Sequence, residues 1–244
     1  MKKVLKILLA SVLVCYILFY VFYIRNVQND EKRVCSGIEI VVKDSTERHF
    51  VKSKDIQRIL TQARISPVGK PLSSLNTEAV ERKLRAHSQL ALVEVYKTPS
   101  GIMHLNVNQR IPVLRVITPS ANYYVDKKGA IMPPTSHFVI QVPLAVGSID
   151  TKFAVEKILP FALYLQSNEF WYNQVEQIVV LPSKDVELVP RVGTHRILLG
   201  TLDSYDTKLE NLRLFYDQAI PKVGWNKYKQ INLSFKDQVI CTRN

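Results

Sequence analysis

Glycine is scarce in this chain, with eight in 244 residues. A phosphate-cradling loop needs several close together, and no G-x-G-x-x-G or G-x-x-x-x-G-K pattern occurs. Cysteine is scarcer, with three and no C-x-x-C pair. Cys15 falls in an apolar run, and Cys35 and Cys241 stand far apart in the rest of the chain. A bridge between those two would close a very long loop without geometric support, so free or buried thiols are expected. None of the five histidines, His49, His87, His104, His137 and His195, has a second His or Cys at metal-ligand spacing. G-x-S-x-G and H-E-x-x-H are absent. The carboxylates of Asp203 and Asp206 are explained by the start of a helix. A membrane-anchored cell-wall hydrolase would need a nucleophile, a metal set or a carboxylate pair, and none is found. No catalysis, metal or cofactor is therefore expected. Internal repeats and low-complexity tracts are absent too.

One long hydrophobic run is present. Ile7 to Ile24 carries no charge and would span roughly 27 Å as a helix, enough for a hydrocarbon core. Lys2, Lys3 and Lys6 precede it and place the tail in the cytoplasm. The run is longer than a signal peptide's apolar core and leaves through bulky Phe19, Tyr20, Phe22 and Tyr23. Val14 stands where a lipoprotein signal needs a small residue. An uncleaved anchor is expected, with the remainder extracytoplasmic. Setting those three lysines aside leaves 30 basic against 21 acidic residues, a net of +9. No five consecutive residues share a charge sign, so this is a solvated surface rather than a nucleic-acid site.

Residues 25–36 read as a polar juxtamembrane linker. Gly37 opens a strand, Ile38 to Val42. Ser53 is placed to cap a helix with Ile56, Ile59, Leu60 and Ala63 on one face. Ser66-Pro67 and Gly69 break it. Asn76 caps a second helix, Thr77 to about Ser88, with Leu75 and Val80 as a hydrophobic staple. A hairpin follows, Leu92 to Lys97, the turn Thr98 to Gly101, and Met103, Leu105 and Val107 alternating with polar residues. The order is β-α-α-β-β over 37–110. Two helices on a three-stranded sheet make a two-layer unit, whose exposed strand edge is either Leu92 to Lys97 or the first strand.

The second half, 111–244, is richer in strands: Leu114 to Ile117, Asn122 to Val125, Ala130 to Met132, Val139 to Leu144, Ile178 to Leu181, Asp185 to Pro190 and Arg196 to Gly200. Phe153 to Leu165 has helical spacing, with Pro160 expected at a kink or break. Phe170, Trp171 and Tyr172 sit at a helix end and read as core rather than a glycan platform. Asp203 or Ser204 starts a helix with Leu209, Leu212, Tyr216 and Ala219 on one face. Ile231, Leu233 and Phe235 alternate in a strand, Lys236-Asp237 turns the chain, and Gln238 to Thr242 runs extended. The fold class is α+β: a single transmembrane helix over 7–24 behind a short tail at 1–6, the β-α-α-β-β unit, then a mixed, largely antiparallel β domain with flanking helices.

Several stretches resemble the bacterial cell-division family FtsQ, called DivIB in some lineages. Asn108-Gln109-Arg110-Ile111-Pro112-Val113 is similar to its E-R-x-P-V junction. Tyr124-Val125-Asp126-Lys127-Lys128-Gly129-Ala130-Ile131 resembles its L-V-D-x-x-G-x-v hairpin. Ile197-Leu198-Leu199-Gly200 with Lys208-Leu209 resembles its v-x-L-G…K-L segment, and Ile231 to Phe235 its I-D-L-R-Y strand. The departures are Gln109, Asn232 and Ser234 for Glu, Asp and Arg. They put in doubt any partner contact that relied on those charges. The resemblance implies a POTRA domain followed by a β domain, and a non-catalytic divisome scaffold in the inner membrane. Its bulk would lie in the periplasm at the septum, binding single-span proteins of the FtsB and FtsL type, with neither nucleic acid nor a small-molecule substrate. An alternative is a POTRA-bearing component of outer-membrane assembly or secretion, although such proteins usually carry repeated POTRA units or a barrel.

The last strand has no later segment of this sequence to pair with. The resemblance implies that a partner strand adds there, beside the preceding helix. An edge offers unpaired N–H and C=O groups for such addition. On this reading Gln238 to Thr242 make the main-chain bonds, and Val239, Ile240 and Cys241 shape the contact. Lys208, Asn211, Phe215 and Tyr216 supply a rim. Ile240→Pro is expected to weaken binding while the domain stays folded.

Overall fold

The computed structural model describes residues 11–24, 33–43, 51–134, 140–235 and 237–244. Residues 11–24 form helix α1, whose large apolar side chains from Val12 to Ile24 are exposed. Among the described residues no helix is long and apolar enough to cross a membrane. The expected span over 7–24 begins outside the described residues, as do the tail at 1–6, most of the linker, His49, His137, Val139 and Lys236. The chain divides into two compact units, Met1–Arg110 and Ile111–Asn244.

In the first unit, β1 (Gly37–Val42), α2 (Ser53–Gln62), α3 (Thr77–Arg85), β2 (Leu90–Lys97) and β3 (Ile102–Gln109) follow in order. The sheet runs β1-β3-β2, with β1 parallel and β2 antiparallel to β3. Alternation in β3 puts Met103, Leu105 and Val107 fully inside, against Ile56, Leu60, Val80 and Leu84 of the helices. Asn76 caps α3, its Oδ1 accepting from the Ala79 amide at 2.9 Å. Ser53 is not the cap of α2. Lys52 holds that place, and the Asp55 carboxylate reaches back to its amide at 3.0 Å. α3 ends at Arg85, short of Ser88, because the chain turns through the His87 to Leu90 hydrogen bond.

The second unit is a nine-stranded sheet. Its strands are β4 (Pro112–Ile117), β5 (Asn122–Asp126), β6 (Ile131–Met132), β7 (Leu144–Gly147), β8 (Val175–Val180), β9 (Val186–Pro190), β10 (Arg196–Gly200), β11 (Tyr228–Asn232) and β12 (Ile240–Arg243). Their order is β12-β11-β10-β9-β8-β7-β4-β5-β6. Three neighbour pairs are parallel, β10 with β11, β4 with β7 and β7 with β8, and the other five are antiparallel. The parallel pair β7 and β8 is joined through α4 (Thr151–Phe153), α5 (Leu159–Ser167) and α6 (Glu169–Gln174). The pair β10 and β11 is joined through α7 (Tyr205–Gln218) and α8 (Ile220–Val223). Leu165, Trp171, Leu209 and Leu212 from these helices share one core with Leu114, Ile178, Leu188, Ile197 and Ile231 from the sheet.

Sequence punctuation explains the local structure. Asp126 Oδ1 accepts from the amides of Lys128 and Ala130, both at 2.8 Å, and Gly129 follows at φ +82°. This is the physical content of the D-x-x-G hairpin, since only glycine enters that conformation without cost. Pro160 falls, as expected, at an interruption of the α-helical path, in the first turn of α5. The turn before it, Ala154–Ile158, widens to π geometry, with the Leu159 amide bonding Ala154 O, which accommodates a residue that has no N–H to give. The strand expected at Val139 to Leu144 lies later, at Leu144–Gly147, because residues 140–143 lead into the sheet without pairing as a strand.

Candidate partner-binding edge

β12 is the outermost strand on its side of the nine-stranded sheet, next to β11. Its register with β11 pairs Thr242 with Gln230, Cys241 with Ile231 and Ile240 with Asn232. The Leu233 amide bonds Leu198 O at 2.8 Å, so odd-numbered residues of this stretch face β10 and Gln230 and Asn232 face β12. In an antiparallel ladder the residues opposite them, Ile240 and Thr242, spend their main-chain groups on β11. Those of Cys241 and Arg243 turn to the open edge. This corrects the expectation that Gln238 to Thr242 all bond a partner, and it changes the proline probe: Ile240→Pro cuts the β11 ladder, whereas Cys241→Pro removes an outward donor.

The side chains divide by face. Cys241 and Val239 pack half-buried against the core, and burial pushes the Cys241 thiol up from its ordinary value. Both Cys35 and Cys241 are free thiols. Ile240 points to the other face and is 44 % exposed; Gln238 and Thr242 are also exposed. Phe235 does not continue the buried alternation of Ile231 and Leu233: it lies past the end of β11 and is 55 % exposed.

The expected rim is partly structural. Tyr216 is buried, its hydroxyl 2.8 Å from His195 Nε2, and it presents no surface to a partner. Burial pushes its hydroxyl well above the usual tyrosine range and pulls His195 down. Phe215 is half-buried against Tyr228 of β11. Lys208 donates to Leu199 O at 3.1 Å and Thr201 O at 2.7 Å. Its ammonium therefore ties the first turn of α7 to the end of β10, and desolvation lowers its pKa. Gly200, at φ +72°, makes that end possible, because a Cβ there would stand 2.8 Å from Ser234 Oγ. Asn211 is half-buried, and Leu214 on the same helix is 52 % exposed.

A cavity of about 330 Å³ joins these pieces at the loop before β12, lined by Ser204, Thr207, Lys208, Asn211, Phe235 and Gln238 among others. It brings together three of the expected site residues, Lys208, Asn211 and Gln238. Sequence reasoning missed Phe235 as a surface group, and missed Leu214, whose signal is a leucine on the polar side of a helix.

A family model described as FtsQ/DivIB, C-terminal related, matches residues 111–242, more than half of the chain. The chain belongs to the FtsQ/DivIB family. A second model, described as a POTRA-like domain, matches residues 33–108. Comparison with curated proteins gives no match. Membership carries a role in cell division. In this member of the FtsQ/DivIB family, two of the family's patterned segments are accounted for internally: the D-x-x-G turn and the Gly200–Lys208 tie. Gln109, standing for a glutamate, is buried and accepts from the Val51 amide at 3.2 Å. A neutral amide there avoids burying a charge, so this departure touches folding and not a surface contact. Among the described residues no group of His, Cys, Asp or Glu is arranged to hold a metal ion.

Proposed function

We propose that this FtsQ/DivIB-family chain is a non-catalytic, single-span membrane scaffold of the divisome, and that its second unit receives a partner strand along β12. The observation that carries the reading is the outward turn of the Cys241 and Arg243 main chain at the end of the sheet. The neighbouring cavity and exposed Phe235 and Ile240 offer side-chain pockets beside it. The apolar, exposed face of α1 together with the uncharged stretch before it supports an inner-membrane anchor, with the two units in the periplasm at the septum. Single-span, coiled-coil division proteins of the FtsB and FtsL type are the partners this reading names. The FtsQ/DivIB match over 111–242 favours it over outer-membrane assembly or secretion.

Affinity purification of the full-length protein from gently solubilised membranes tests the proposal. Wild type is expected to carry single-span division proteins and septal wall synthases with it. Cys241→Pro is expected to lose the former while melting as wild type does. Recovery of outer-membrane barrels or secretion components without division proteins would reject the reading. Equal recovery with Cys241→Pro would reject β12 as the contact.

A further inference from the structure

The three-stranded sheet has two outer strands, β1 and β2, and side chains of α3 occupy one of them. Val95 N–H donates to Glu81 Oε1 at 2.9 Å. Val93 O accepts from Arg85 Nη2 at 2.9 Å and from Nε at 3.3 Å. Glu81 and Arg85 are themselves paired at 3.0 Å. Val93 and Val95 lie opposite Val107 and Leu105, and the groups so bound are those that face away from β3. A carboxylate and a guanidinium thus stand where the acceptor and donor of a next strand would stand. Lys97, at the end of β2, is held too, by Leu72 O and Leu75 O. Two residues one helical turn apart can do this because their side chains lie on one face of α3.

β1 differs. Lys43 N–H donates to Val107 O at 3.0 Å, and the parallel register sets Glu39 and Val41 opposite His104 and Asn106. In a parallel ladder, alternate residues serve the neighbour, so Ile38, Ile40 and Val42 turn their main-chain groups outward. Among the described residues no hydrogen bond reaches those outward groups. Ile38 and Ile40 are only partly buried at the rim of the core, beside the equally half-buried Ile59 of α2. A strand laid along β1 would place every second side chain over these isoleucines.

We propose that the POTRA-like unit is a one-edged strand acceptor: Glu81 and Arg85 close β2, and β1 takes an extended segment of another polypeptide with apolar residues at alternate positions. The site is independent of β12, in the other unit. The alternating pattern follows from the isoleucine row on one side and the polar groups of Glu39 and Lys43 on the other.

The test uses full-length protein in nanodiscs and synthetic peptides selected on it from a random displayed library, with amide exchange resolved by residue. Selected peptides are expected to alternate apolar and polar residues and to slow exchange at Ile38, Ile40 and Val42 by about tenfold or more, with Val93 and Val95 unchanged. Ile40→Pro removes an outward donor at an edge and is expected to abolish that footprint. The double variant E81A/R85A is expected to gain a second footprint on Leu90–Lys97. A wild-type footprint on β2, self-pairing through β1, or selected peptides that leave both edges unprotected would each overturn the proposal. The wild-type footprint decides the matter even if a proline variant fails to fold.

Discussion

β2 and β12 are both outer strands, yet the outward amide and carbonyl of β2 are held by a glutamate and an arginine. Among the described residues no hydrogen bond reaches those of Cys241 and Arg243 in β12. The helices account for the difference. Glu81 and Arg85 of α3 reach over the rim of a small sheet. Lys208 of α7 instead reaches β10, two strands in from the edge, where its ammonium serves Leu199 and Thr201. A free edge is a liability that proteins cover with charge or leave open for use. Here β2 does the first and β12 lends itself to the second.

The comparison can be broken at its centre first. Leu105→Ala in β3 and Ile231→Ala in β11 each delete a fully buried side chain and are expected to cost about 2–5 kcal/mol. Denaturant unfolding followed separately for the two units would show each loss confined to its own sheet. Next, Ile240→Pro should cost roughly 1–3 kcal/mol, because it removes a β11 ladder bond and leaves its acceptor unpaired. Cys241→Pro should leave the midpoint close to wild type. Equal losses would mean that the outward assignment of Cys241 is wrong.

A third expectation concerns pH. His195 is buried and its pKa is lowered by desolvation. Its neutral form is therefore favoured by the fold. That contribution is complete above the unfolded value of about 6.5 and is lost as pH falls toward the lower folded value. The second unit should weaken by up to roughly 1.4 kcal/mol per pH unit in that window, and His195→Gln should flatten the slope. The smallest effect is Glu81→Ala, about 1 kcal/mol or less at a partly exposed pair, read as faster exchange of the Val95 amide. An unchanged exchange rate would remove the closing role from Glu81.

Much of this arrangement was legible where period and punctuation agree. The alternation in Met103, Leu105 and Val107 and the Asn76 cap mark their elements directly. So does the turn at Asp126 to Gly129. The alternation of Ile231 and Leu233 marks β11, and the sheet order places β12 outside it. Which of the β12 amides face outward does not follow from the sequence, because that depends on register with β11 and on the Leu233 bond to β10. Tyr216 shows the same limit. Helical spacing puts it on the inner face of α7, but its partner, His195, comes from the segment just before β10. Lys208 looks like a free surface cation until the carbonyls that bind it, from the end of β10, are in place. Pro160 predicts an interruption, and the widened turn that absorbs it has no residue signature of its own.

If a partner strand adds along β12 as proposed, the shortness of β12 bears on how that partner is held. Cys241 and Arg243 offer at most two donors and two acceptors between them. At a net of about 0.5–1.5 kcal/mol each, such bonds alone reach roughly the millimolar range. Tight and selective capture must then come from a few side chains seated off the strand, in the cavity beside Phe235 and over Ile240. Sequence change there would retune which partner is chosen without disturbing the sheet that presents it.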